Sequence, residues 1–393
     1  VVYCQPFLII KKKCLLKKKL LYKLKNGTGV FMKKFFVLCA FLCSAIGISA
    51  TDIEVAAMTS SDTSSKVPYD ADLFRKDVKV GFIDLEFLYW TAEVADLDYA
   101  LVMNTPARDT SNNLYAQGDY QHAKYNWDPG FRITLGYFNA PHYWQVYGTY
   151  TWQYITGRTH VEKPSQDDLY LVSTWPDDIA ASSENPLLAA DSCVRLNYSV
   201  ADLIFDRVYI TNPHLRLKLL GGLVGAYIKQ RFYIDYSTAE NASHIYNMWR
   251  FGGIGFRLGV GLDWFLGADF YLTAKATTAV LLGSYKNQSY QVANRLSDHE
   301  GDDITIPVRN ATYTDWRPSF ETQFLVGPSY QKSFKSWRFE LFAGYEITSW
   351  FNINEIYRSS GYTGLYPGVY QQTFINNSAI ALHGLTVRTT FDF

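Results

Sequence analysis

What this sequence lacks most plainly is a helix that could cross a membrane. Beyond residue 77 no segment reaches the ~18 consecutive apolar residues that a spanning helix needs. Mean hydropathy, at −0.12, is also too low for a helical membrane protein. Cysteine is scarce: Cys4, Cys14, Cys39 and Cys43 all precede residue 50, and Cys193 is left by itself. One thiol cannot form an internal disulfide, so the rest of the chain must be held by hydrogen bonding and burial, with Cys193 a structural residue. There is no glycine-rich phosphate loop, no zinc spacing and no cofactor fingerprint, so neither cofactor nor metal is expected. The acidic run Asp298-His299-Glu300-Gly301-Asp302-Asp303 lacks the spacing of a calcium loop and reads as solvated surface. Histidines 122, 142, 160, 214, 244, 299 and 383 are scattered, and only His383 falls inside an expected strand. A hydrolase needs a positioned nucleophile and base, and no serine partner is set by spacing. The chain is therefore expected not to be an enzyme.

Positive charge is missing from the body of the chain as well. Residues 1–50 hold ten of the 37 basic residues and none of the 37 acidic ones, which leaves the remainder net acidic. That balance argues against nucleic-acid binding. Within the basic N-terminus, Met32-Lys33-Lys34 precedes an apolar run from Phe35 that ends in small residues at Ala50. This is the layout of a secretory signal cleaved near Ala50. Both Cys39 and Cys43 follow leucine, which argues against a lipid anchor. Residues 1–31 read as an overextended start or a long basic region, 32–50 as the signal, 51–77 as a polar periplasmic lead-in, and 78–393 as the folded body.

What is abundant is aromatic: 30 Tyr, 25 Phe and 10 Trp, 17% of the chain. Such rings suit a fold with two membrane–water interfaces. The second abundant feature is period-two alternation, the mark of strands with unlike faces. Trp144, Val146, Tyr150, Trp152 and Tyr154 alternate with Gln and Thr; Phe131, Ile133, Leu135 and Tyr137 alternate with Arg132, Thr134 and Gly136. Strands are expected near 78–92, 123–138, 143–156, 193–209, 214–235, 247–265, 268–286, 312–331, 336–351 and 377–393. The connections between them alternate between short and long, which is the outer-membrane pattern of tight periplasmic turns and long extracellular loops. The expected fold is all-β, a transmembrane antiparallel β-barrel of about ten strands. Tyr99-Ala100-Leu101-Val102-Met103 could add to the wall and bring the count to twelve or more.

Charge placement adds a second constraint. A charged residue on the lipid face costs ~2–4 kcal/mol at mid-bilayer, whereas the lumen is wet. Asp84, Glu86, Arg132, Arg195, Arg216, Lys218, Arg257, Asp263, Asp269, Lys275, Glu321, Arg338, Glu340, Glu346, Arg388 and Asp392 are all assigned to the face opposite their strand's apolar side. They are the candidate pore-lining residues. Opposed acidic and basic groups could filter solutes through a transverse field, or they could pair and plug a small barrel. Lys229 and Arg231 carry outward parity near a loop end. Asp202 and Arg250 break parity unless bulges lie near Ala201 and Gly252-Gly253.

The final strand alternates to Phe391 and Phe393, resembling the sorting signal read by the barrel-assembly machinery. Trp127-Asp128-Pro129-Gly130-Phe131 to Tyr137, the aromatic strand from Trp144, the stretch Tyr198–Arg207 with Asp202 and Asp206, Gly252-Gly253-Ile254-Gly255 after Trp249, and Phe339–Trp350 together carry a family resemblance. The sequence resembles the Legionella-type major outer membrane proteins and their chlamydial-group relatives. That resemblance implies a pore-forming protein of the bacterial outer membrane. The chlamydial proteins proper are cysteine-rich and cross-linked, and a lone Cys193 departs from that pattern. The expected function is passive diffusion of small hydrophilic solutes; the alternative is a surface-displayed adhesion barrel with a closed lumen. Expected partners are lipid and lipopolysaccharide, the assembly machinery, solutes, a host surface and further copies of the chain.

Overall fold

The computed structural model describes residues 79–103, 118–166, 169–175, 187–239, 241–295, 304–334, 336–360 and 372–393. The expected signal, the lead-in and the Asp298–Asp303 run lie outside these residues.

Alternating residues fold as alternation dictates. The strands are β1 (Lys79–Val94), β2 (Asp98–Met103), β3 (Gly118–His122), β4 (Asp128–Asn139), β5 (Trp144–Glu162), β6 (Tyr170–Ser173) and β7 (Ala189–Asn212), followed by β8 (Leu215–Ser237), β9 (Ala242–Gly267), β10 (Phe270–Arg295), β11 (Ile304–Ser333), β12 (Arg338–Ser360) and β13 (Gln372–Asp392). Ten of them close a barrel in the order β1-β13-β12-β11-β10-β9-β8-β7-β5-β4, every neighbouring pair antiparallel. Closure removes the sheet edges that would otherwise leave backbone groups unpaired in lipid. The seam is sealed by the last residue: Gly81 N–H donates to Phe393 O at 3.0 Å and Phe393 N–H to Gly81 O at 2.9 Å.

The start of β1, the end of β13 and the tight turns share one rim. Ala140–His142 forms a single 3-10 turn. Ala268 and Asp269 make the two-residue turn between β9 and β10 with φ of 53° and 67°, the left-handed pair that suits a hairpin's twist. At the opposite rim the strands run far past what a bilayer requires. A spanning strand needs about 9–11 residues, and β11 has 30. The expected strands were too short at this end for that reason. His160 and His244, placed in loops by the sequence, lie inside β5 and β9.

The outer face is a continuous apolar belt. Leu85, Phe87 and Tyr89 on β1, Ile133 and Leu135 on β4, Phe256, Leu258 and Val260 on β9 and Phe320 and Phe324 on β11 are all exposed. In a soluble protein so large a patch would be a liability; around a closed barrel it is the surface that lipid covers. Gly253 marks one place where the wall must thin, since a Cβ there would sit 2.7 Å from the Phe251 ring.

The strand expected to widen the wall does something else. β2 forms where Tyr99–Met103 suggested, but it pairs with β3 and β6 in a separate three-stranded sheet. Side chains of this sheet join the interior: Tyr99 and Ala100 of β2 and Leu171 of β6 are buried in the same apolar cluster as Trp90 and Trp350. The barrel stays at ten strands.

Candidate functional site

The candidate site is the lumen, which is layered along its length. Nearest the short turns, inward positions of neighbouring strands bring opposite charges together. Arg338 Nε lies 2.5 Å from Asp392 Oδ2, and Arg388 Nη2 lies 2.9 Å from Glu340 Oε1. Asp263 receives both Arg216 Nε at 3.0 Å and Lys218 Nζ at 3.1 Å. A cavity of about 170 Å³ opens beside these pairs, with Asp84, Asp206, Lys275 and Thr149 in its wall. One oxygen each of Asp84 and Asp206 finds no hydrogen-bond partner among the described residues.

Above this lies an ionic layer that crosses the barrel. Arg132 reaches Glu86 on β1 and Glu346 on β12, each at 2.7 Å. Arg257 on β9 reaches Asp202 on β7 at 2.9 Å and Glu321 on β11 at 2.7 Å. Gln323 joins the two clusters, accepting from Arg257 Nη1 at 3.1 Å and donating its own amide to Glu346. Glu346 and Glu321 are 0% and 1% exposed. Buried carboxylates of this kind persist only when paired and fully hydrogen-bonded.

Beyond Glu86 and Glu346 the filling changes to hydrocarbon. The Trp90 ring sits 5.5 Å from the Arg132 guanidinium carbon, roofing the ionic layer. Its indole N–H donates to Thr386 Oγ1 at 3.2 Å, and the Thr386 hydroxyl donates onward to Glu346. Trp90 packs on Tyr198 with ring centroids 6.5 Å apart, and Tyr198 packs on Trp350 at 6.2 Å. β7 and β12 face each other across the ring of strands, so this last contact spans the lumen. Trp249, Phe251, Ile228, Phe232, Leu196 and Ile380 complete an apolar layer in which each side chain is almost wholly buried. Higher still, Arg317 pairs with Asp315 and Glu355 at 2.7 and 2.6 Å and lies 3.9 Å over the Tyr285 ring. The three-stranded sheet closes the top: Tyr236 O–H donates to Tyr99 O, and Trp175 packs on Phe232 at 5.9 Å.

Most sequence-predicted residues arrive where parity put them. Asp84, Glu86, Arg132, Arg216, Lys218, Arg257, Asp263, Lys275, Glu321, Arg338, Glu340 and Arg388 all line the lower lumen, and Glu346 lies in the ionic layer. Two do not. Arg195 points outward, because β7 pairs with β8 without a bulge near Ala201. A single parity therefore runs through β7, with Asp202 and Asp206 inside and Arg195 outside. Asp269 sits in the left-handed turn at the rim, where Lys332 Nζ approaches to 3.1 Å. Gly252-Gly253 likewise carries no bulge, so Arg250 stays on the outer face. Phe391 and Phe393 lie on the exposed face of the seam. Cys193 is buried.

The sequence reading missed the closing layer itself. The signal was present: above Glu86, inward Leu88, Trp90 and Ala92 make both faces of β1 apolar.

The family described as Legionella pneumophila major outer membrane protein precursor matches residues 79–393. No curated protein matches the chain. Among solved structures, it is similar to the outer membrane protease OmpT of Escherichia coli, at 11% identity and a TM-score of 0.38, covering 82% of this chain and 99% of that one. It is also similar to a Pseudomonas aeruginosa FadL homologue, at 7% identity and a TM-score of 0.20, covering 81% and 90%. The Pseudomonas putida toluene transporter TodX matches at 8% identity and a TM-score of 0.21, covering 80% and 89%.

Proposed function

The chain belongs to the Legionella pneumophila major outer membrane protein family, and from that premise we propose that it is an outer-membrane barrel with a closed lumen, acting through its extracellular rim. The observation that carries this reading is the Trp90–Tyr198–Trp350 contact across the barrel, backed by the apolar layer around it. A general diffusion pore needs a continuous wet path. Here hydrocarbon and a folded-in sheet occupy the extracellular half, and small barrels are commonly filled by side chains in this way. The long strands that project past the bilayer offer a rigid platform for surface contact, which suits adhesion to a host surface or lateral association of copies. No catalytic role is included in this reading. The N-terminal segment 32–50 serves it as the cleaved export signal, and Phe391 with Phe393 as the mark read by the assembly machinery.

One observation favours a second reading. The charge-lined cavity of about 170 Å³ in the lower half could hold small hydrophilic solutes, which would pass if the apolar layer moved aside. Conductance of the full-length protein in a planar bilayer separates the two. Silence over a range of voltages is expected; steady, discrete channel steps would overturn the closed-barrel reading and restore passive diffusion.

A further inference from the structure

Five cations share one patch of the barrel's outer face, on four neighbouring strands. Strand register places Arg195 directly opposite Arg231, Lys229 opposite Arg250, and Arg250 opposite Lys286. Each alternates with buried inward residues: Leu196, Ile228, Gln230, Trp249, Phe251, Tyr285 and Asn287 are all at or near zero exposure. The five side chains therefore project away from the lumen, where they are half-buried.

Like charges directly opposite one another destabilise a sheet, and Arg250 faces two of them, Lys229 and Lys286, while Arg195 lies over the Tyr233 ring at 5.6 Å. The flanking register positions carry no acid. Asn197, Met248 and Gln288 fill the remaining places of the two cation rows; one row nearer the loops come Cys193, Tyr233, Tyr246 and Tyr290, and one row nearer the membrane belt come Ser199, Tyr227, Gly252 and Ser284. Among the described residues of these four strands, the first acids on this face, Asp191 and Asp235, stand two rows further out. Each is already engaged by a histidine, His160 at 2.7 Å and His244 at 2.6 Å.

Height identifies what could offset the repulsion. On β9, the exposed apolar run Ile254, Phe256, Leu258 and Val260 begins four residues below Arg250, and on β11 the exposed Trp316 faces Ser284 of β10, two residues below Lys286. Four residues of a tilted strand rise roughly 10 Å, so the cations sit where the headgroups of the outer leaflet begin. Trp at that level is the usual interface residue. Arginine pairs with phosphate oxygens through two parallel N–H donors.

We propose that the outer face of β8–β10 binds the phosphates of a phosphorylated, acylated sugar lipid of the outer leaflet, held by Lys229, Arg231, Arg250 and Lys286. The site rests on the outer-membrane location argued above, and not on whether the lumen conducts. Phosphate neutralises the facing cations, the acyl chains lie along the apolar belt below them, and the Tyr233–Tyr246 ring pair, 4.9 Å apart, flanks the sugar.

The test uses the full-length protein in mild detergent with purified diphosphorylated lipid A as probe, read by native mass spectrometry and by the shift in unfolding temperature. Saturable binding is expected, weakened about tenfold or more for each phosphate contact removed in Arg231→Gln and Arg250→Gln. Lys332→Gln, in the opposite rim's turn, should bind like the wild type. Enzymatically dephosphorylated lipid A should bind at least about tenfold more weakly to the unaltered protein, a comparison that holds even if a variant fails to fold. Inorganic phosphate at millimolar concentration should not displace the lipid. Equal binding of the phosphorylated and dephosphorylated lipids, or full competition by free phosphate, would overturn the proposal. Channel activity in the bilayer assay would leave it standing while removing the closed-lumen reading.

Discussion

The lower and upper halves of the lumen are built from the same strands with the same inward parity, yet they are filled by opposite chemistry. Below, β1 contributes Asp84 and Glu86 to a set of paired charges around a cavity. Above, the same strand contributes Leu88, Trp90 and Ala92 to a dry layer. On β1 the outer face hardly registers the change, because Leu85, Phe87 and Tyr89 stay apolar alongside both. Period-two alternation thus reports that a wall exists, and it is the inward residue set that reports whether the space inside is wet.

The contrast predicts different responses to substitution. The largest effect is expected in the upper half. Trp350→Ala removes a ring at 0% exposure that no neighbour can replace, at a cost of about 3–5 kcal/mol. Denaturant unfolding in detergent measures this. Because the lost ring spans the lumen, the same variant should also show conductance steps absent from the wild type. If Trp350→Ala is both stable and silent, the upper half is not the closing element.

In the lower half, Glu346→Ala strands Arg132 beside Glu86 alone and should cost somewhat less, about 3 kcal/mol. The combined Glu86→Leu, Arg132→Met, Glu346→Met variant should recover most of that loss, since replacing a whole buried ionic set is cheaper than breaking it. Failure to recover would mean the pairs do more than satisfy one another. This pair of results sharpens the comparison: ionic layers tolerate joint replacement by apolar residues, whereas the aromatic layer has no such substitute.

The smallest effect lies outside the barrel wall's membrane zone. Hydrogen bonds that His160 donates first to Asp191 and then to Glu162 hold it above its usual titration range. A raised histidine value stabilises the folded state fully below the unfolded pKa of ~6.5, and that contribution fades as pH climbs through the folded value. The side chain is about half exposed, so solvent screens the pair and the effect on stability is slight. An NMR titration should place the His160 midpoint above that of the Asp191→Asn variant; coincident midpoints would contradict the pairing.

Much of this arrangement could be read from the residues. The ring of strands, the tight-turn rim and the inward placement of Glu86, Arg132, Arg257 and Glu321 follow from charge avoiding lipid, a local rule that each strand obeys by itself. Arg195 and Asp202 show where the rule fails. One parity cannot serve both, and near the rim an outward arginine is no longer opposed by hydrocarbon, so charge stops reporting direction. The fate of Tyr99–Met103 was beyond reach for another reason: a short alternating strand can extend a wall or fold inside it, and only the packing partners, Trp175 and Tyr236 among them, decide. The closing layer was visible as apolar residues on both faces of β1. A lumen expected to be wet gave no reason to weigh Trp90 and Trp350 against the charges beneath them.

The central claim is that the apolar layer separates the lower cavity from the extracellular side. Thr149→Cys, with Cys193→Ser to remove the barrel's own thiol, puts a reactive group in the cavity wall. In proteoliposomes of one orientation, a charged thiol reagent should modify position 149 from the periplasmic side and leave it untouched from the extracellular side. Equal labelling from both sides would show an open path and contradict the account.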